Sequence, residues 1–228
     1  MRISLPLPFL ALACAVCLPC LLTAAADKAG ERSGPSINVD EPNDGKEARM
    51  LQRRGEAHFL AGHIRESIRD FDRVVVLVPA RDPHHWQRGI SYYYAGEYQK
   101  GRMQFERHRA VNPHDVENTA WHFFCVARME GVAAARKVLI PIDTTRDTRV
   151  PMAEVYQLLV GTGTEEQVLA AARRVPKPRQ RRAMQYAHLY LGLWHEVHNC
   201  PAKSIQHMRL SATDFGMDHY MGGVARVH

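Results

Sequence analysis

The sequence predicts an all-α solenoid of stacked antiparallel helix hairpins, about five units long with degenerate central ones. Three observations carry that expectation. Gly55, Gly62, Phe71 and Pro79 recur 34 residues later as Gly89, Gly96, Phe105 and Pro113, and such a period marks a repeating helix hairpin. Within a copy the apolar residues keep three-four spacing, as in Ile64, Ile68, Phe71, Val74 and Val75, the stripe of an amphipathic helix. From Glu47 onward the segments are parted by turn residues, with no strand-like alternation. A hairpin of this size buries its apolar face only by stacking on its neighbours.

The first 26 residues read as a secretory signal peptide: Arg2 forms a basic head, Leu5 to Leu22 an apolar run, and Ala24-Ala25-Ala26 a small-residue cleavage site. The chain is therefore expected outside the cytoplasm, periplasmic or secreted, with membrane attachment only through an uncleaved signal or a lipid anchor. Pro6, Pro8 and Pro19 count against a retained span, and Ala11-Leu12-Ala13-Cys14 has its leucine displaced from the place a lipobox requires. Cys14, Cys17 and Cys20 leave with the signal, so Cys125 and Cys200 remain and are expected as two separate core thiols. Residues 27–46, rich in Gly, Pro, Asp, Asn and Ser, read as a disordered linker. Residues 47–228 form the repeat domain. The 228-residue chain is 46% hydrophobic, enough for a sizeable core, and its formal charge of +6 permits an anionic partner without requiring one.

The first unit runs from about Met50 to Pro79, with one helix through Leu60, a turn at Ala61-Gly62 and a second helix. The next repeats it, with Ile90, Tyr93 and Tyr94 on its first helix, Gly96 at the turn, Met103 and Phe105 on its second, and Pro113 as the stop. Gly55 and Gly89 leave room for two helices to approach closely, while Phe71 and Phe105 plug the gap between hairpins. A worn third unit spans Asp115 to Val138, carrying Trp121, Phe124 and Val126, with a break at Glu130-Gly131. Two shorter helices follow, Met152 to Val160 and Glu165 to Arg174, with Thr164 as the cap of the second. The last unit recovers the pattern at Leu191-Gly192, after Tyr186 and Tyr190.

Leu191-Gly192-x-x-His195, the two glycine-phenylalanine pairs and the 34-residue spacing together resemble the tetratricopeptide (TPR) repeat. Tyr190-Leu191-Gly192-Leu193-Trp194 is similar to the final repeat of exported NlpI-type TPR lipoproteins. That resemblance implies a non-catalytic adaptor that docks other proteins or peptides and is compatible with a homodimer. It also implies that the first helix of each hairpin lines a concave groove. Mapped onto this chain, the groove presents Gln52, Glu56 and Phe59 from the first unit. Trp86, Ile90, Tyr93 and Tyr94 follow from the second, with Phe124 and Arg128 from the third. Trp86 lies three residues before its glycine where the family places a tryptophan four before, so it is expected to face the groove rather than the packing seam. Gln52 and Glu56 stand where a carboxylate clamp needs Lys and Asn, so that binding mode is not expected.

Other constellations yield less. Residues 173 to 182 hold six cations around Pro176 and Pro178 and read as a solvated connection; without interleaved aromatics they give no ground to expect nucleic acid. His195-Glu196-Val197-His198 is one residue too short for the zinc-protease motif, and the neighbours His84 and His85 do not converge on a helix. No catalytic residue, metal ligand or cofactor is therefore assigned. The rival expectation is an enzyme, or a regulatory subunit of an envelope hydrolase, using histidines as acid-base or metal groups.

Overall fold

A computed structural model describes residues 43–228. The signal peptide assigned to residues 1–26, its three cysteines and most of the linker lie outside the described residues. Within them the chain is all-α, and no strand occurs. Helices α1 (Asn43–Leu60) and α2 (Ile64–Leu77) form a hairpin; a 3-10 turn at Pro79–His84 leads to α3 (Trp86–Tyr94) and α4 (Tyr98–His108). Then come α5 (Val116–Glu130), α6 (Val132–Lys137), α7 (Met152–Val160) and α8 (Glu165–Arg174). The chain ends in α9 (Lys177–Val197), α10 (Pro201–Ala212) and a short α11 (Tyr220–Val227). Helix α1 starts at Asn43, so the last four residues expected as linker are helical; Asp44 in the first turn suits the positive end of the helix dipole.

Three hairpins share one local design. In α1/α2 a Cβ added to Gly55 would lie 2.6 Å from the Phe71 ring, and in α3/α4 one added to Gly89 would lie 2.6 Å from the Phe105 ring. In α9/α10 a Cβ on Gly192 would come within 2.8 Å of Met208, which stands sixteen residues on, just as the phenylalanines do. Seven residues after each glycine the backbone turns left-handed, at Gly62 (φ 79°), Gly96 (φ 75°) and Asn199 (φ 57°). In each turn the following N–H reaches back five residues: His63 to the His58 carbonyl, Glu97 to Tyr92 and Cys200 to His195, at 2.8 to 2.9 Å. These are Schellman closures, in which a residue at positive φ satisfies carbonyls the helix end would orphan. A small side chain follows on each second helix, at Ser67, Gly101 and Ser204, all buried.

Side-chain pairs lock neighbouring elements. Arg54 grips Asp70 bidentately at 2.6 and 2.7 Å across α1/α2, and Ser67 meets Ser91 at 3.0 Å between α2 and α3. The Asn118 amide donates to the Phe105 carbonyl at 3.0 Å, fixing α5 on α4. Helix α5 is buried from Val116 to Ala127 apart from Glu117, the pattern of a helix enclosed on nearly all sides. Helices α7 and α8 keep the bounds expected for them. Thr164 and Gln167 form a reciprocal capping box at the start of α8. The basic segment differs from expectation: rather than a loop, it is the end of α8 and the start of α9, because Pro176 is the N-cap of α9 and Pro178 falls in its first turn, where a missing N–H costs nothing. Cys125 is a buried core thiol as expected, but Cys200 is exposed at the α9/α10 turn, where the chain reverses at the surface.

Candidate functional site

The apolar residues expected to line a groove gather in one aromatic wall built by α1, α3 and α5. Ile90 and Phe124 are fully buried, Tyr93 is 4% exposed, and Trp86 and Tyr94 are half-buried. Tyr93 is the hub: its ring meets Tyr94, Tyr98 and Trp121 in edge contacts at 5.4 to 5.6 Å. Such pairs add roughly 0.5–1.5 kcal/mol beyond area burial.

An open groove is not what the wall presents, because α11 lies against it. Tyr220 stacks on Phe59 with centroids 5.2 Å apart and meets Trp86 edge-on at 5.2 Å. The Tyr94 hydroxyl reaches the Val224 carbonyl at 3.5 Å and His228 Nδ1 at 3.2 Å. Gly223 sits so close to α1 that an added Cβ would come within 2.1 Å of Leu60. The sequence signal for α11 was present in Tyr220, Met221, Val224 and Val227, which keep helical spacing, but two adjacent glycines and a length of eight residues hide it.

Arg128 takes a different place from the apolar wall residues. It is exposed and pairs with Glu196 of α9, while its guanidinium lies 5.1 Å from the Tyr98 ring centroid. The Tyr93 hydroxyl donates to the other oxygen of Glu196 at 2.5 Å. Burial, with the Glu196 charge beside it, pushes the Tyr93 phenol well above its ordinary value, so it stays a donor. Sequence reasoning missed Glu196 because it comes from the far end of the chain.

The part of the wall that α11 leaves open is a cavity of about 310 Å³, bordered by Trp86, Trp121, Tyr186 and Met221. Its polar side is a charge cluster around Arg149, which lies 2.5 Å from Asp115, 2.6 Å from Asp147 and 3.1 Å from Glu117. Burial pushes Glu117 up to about 7, against the opposing pull of Arg149.

A second cluster joins three other helices. Glu165, the first residue of α8, has Oε2 2.9 Å from His195 Nε2 on α9 and Oε1 3.2 Å from His207 Nε2 on α10. His207 Nδ1 in turn lies 2.8 Å from His188 Nδ1. Burial holds His195 and His207 below the ordinary imidazole value and takes His188 down to about 4. Burial alone would raise Glu165, but the His195 hydrogen bond, with His207 and Lys203 beside it, keeps it below the usual carboxylate range. The sequence reading weighed His195 against its chain neighbours Glu196 and His198, and the fold instead gives it partners 30 residues before and 12 after.

No protein-family model matches the chain, and no curated protein matches it. Among the described residues no helix is long and apolar enough to cross a membrane.

Proposed function

We propose that this protein is a non-catalytic, TPR-like adaptor, acting outside the cytoplasm, whose aromatic inner wall holds a helix or peptide of another protein. The observation that carries the reading is that the wall already accommodates a helix, the chain's own α11, through Tyr220 against Phe59 and Trp86. Amphipathic helices are recognised in this way, by apolar anchors laid into a groove. The repeated glycine-plug-turn design of three hairpins supports the solenoid part of the reading.

The hold of α11 is small in net free energy. Ordering the backbone of a short helix costs roughly 1–2 kcal/mol per residue, which offsets a large part of what docking α11 gains by burying apolar side chains. A partner helix with better anchors can therefore displace it, and the cavity beside Trp86 and Trp121 offers room for one further side chain.

The test uses the full chain. Gly223→Glu/Val224→Glu places two charges against Leu60 and the wall and drives α11 off. In crosslinking pull-downs from the native compartment, this variant is expected to enrich a defined partner over wild type, and adding Trp86→Ala is expected to abolish the gain. Identical recovery by all three proteins would overturn the adaptor reading.

A further inference from the structure

We propose that Glu165, His195 and His207 form a binding site for one divalent transition-metal ion of zinc-like chemistry, with His188 orienting His207. The inference stands apart from the adaptor reading, since it rests on α8, α9 and α10 and on none of the residues of the aromatic wall.

The three side chains offer one ligand atom each, and these atoms all lie within 4.8 Å of one another. A tetrahedral ion with bonds near 2.0–2.1 Å spaces its ligands about 3.3 Å apart, so small side-chain adjustments close the site around a metal. Two imidazoles and a carboxylate select zinc and its transition-metal neighbours over calcium or magnesium, which prefer all-oxygen shells. Both histidine side chains are buried, at 3% and 7% exposure, whereas Glu165 is 31% exposed. The carboxylate side is therefore where an ion enters and where water completes the coordination. Lys203 Nζ, 3.7 Å from Glu165 Oε2, competes for the carboxylate, but its side chain is 60% exposed and free to swing away.

The outer nitrogens supply the second argument. A metal-bound imidazole needs its remaining ring nitrogen oriented by a partner, and His207 has one, because its Nδ1 faces His188 Nδ1 at 2.8 Å. One proton lies between these two nitrogens. When His207 carries it on Nδ1, the Nε2 lone pair points at Glu165 Oε1 across 3.2 Å. Two acceptors facing each other at that distance repel, and a cation between them turns the repulsion into ligation. His195 Nδ1 has no such partner, and that ring is held by burial and by stacking on His207 with centroids 5.3 Å apart. A bound ion would clamp the start of α8 to the α9/α10 hairpin.

The experiment takes the full chain, purified in chelator, and adds zinc alone. One equivalent is expected to survive gel filtration, read by elemental analysis, with an upward shift in melting temperature. Cobalt substitution is expected to give the intense visible bands of a tetrahedral site. Glu165→Gln, a half-exposed change that leaves the core untouched, is expected to abolish stoichiometric retention. His188→Leu is expected to weaken binding about 10–100-fold, and the exposed control His63→Ala to change nothing. Substoichiometric zinc in the wild type, weak octahedral cobalt bands, or full retention in Glu165→Gln would each overturn the site.

Discussion

At the scale of single residues, the molecule depends on a few positions where a missing atom matters as much as a present one. The Phe105 ring occupies the space a Cβ on Gly89 would need, at 2.6 Å. Gly89→Ala is therefore expected to destabilise by about 1–3 kcal/mol, the usual cost of overpacking, seen as a lower denaturant midpoint. Phe105→Leu frees part of that space, so the double variant should lose less than the two single losses added together; strict additivity would show that the two do not share one packing site. His85 makes a contrasting case. It is 3% exposed, neither ring nitrogen has a hydrogen-bond partner, and its ring sits 4.7 Å from Phe71. Burial, with Arg88 beside it, lowers its pKa to about 3. Between that value and the unfolded value near 6.5 the unfolded chain binds the extra proton, so stability falls as pH drops through this window, by up to about 1.4 kcal/mol per pH unit. His85→Leu is expected to flatten the acid limb of a melting-temperature profile between pH 6.5 and 4 without loss at neutral pH. An unchanged limb would show that other groups govern it.

At the scale of elements, legibility followed how local the determining physics was. Helices α7 and α8 kept their expected bounds because their signals are complete within a dozen residues: Gly161 at φ 96° ends one, and the Thr164–Gln167 box starts the next. The plug of the last hairpin escaped sequence reading because Met208, not an aromatic, fills the space beside Gly192, and because Asn199 replaces the turn glycine. Both substitutions are physically ordinary, since methionine adapts to irregular gaps and asparagine tolerates positive φ. Residues 173–182 read as a solvated connection, whereas Pro176 and Pro178 at the start of α9 are compatible with helix; only the position of the N-terminus decides which. Repeat position points to Tyr93 and Tyr94 but not to what faces them, because Glu196 and α11 reach them from more than 100 residues away.

At the scale of the whole molecule, the same distance makes α11 informative. It touches α1 and α3 from the far end of the chain, yet α1 to α10 carry their own glycine-plug seams and turn closures without it. If the helix only covers the wall, ending the chain at residue 217 should subtract little beyond the helix itself. Far-UV dichroism should fall by no more than the share of its eight residues, and unfolding should remain cooperative. Phe59, Trp86 and Tyr94 would then face solvent, and a contiguous apolar patch of that kind binds hydrophobic dye or a second copy of the chain. Dye fluorescence is therefore expected to rise and Trp emission to shift toward the red, with both effects reversed by a peptide spanning residues 217–228. Broad loss of helicity instead would mean that α11 is a structural keystone, and the wall it covers would then be ordinary core.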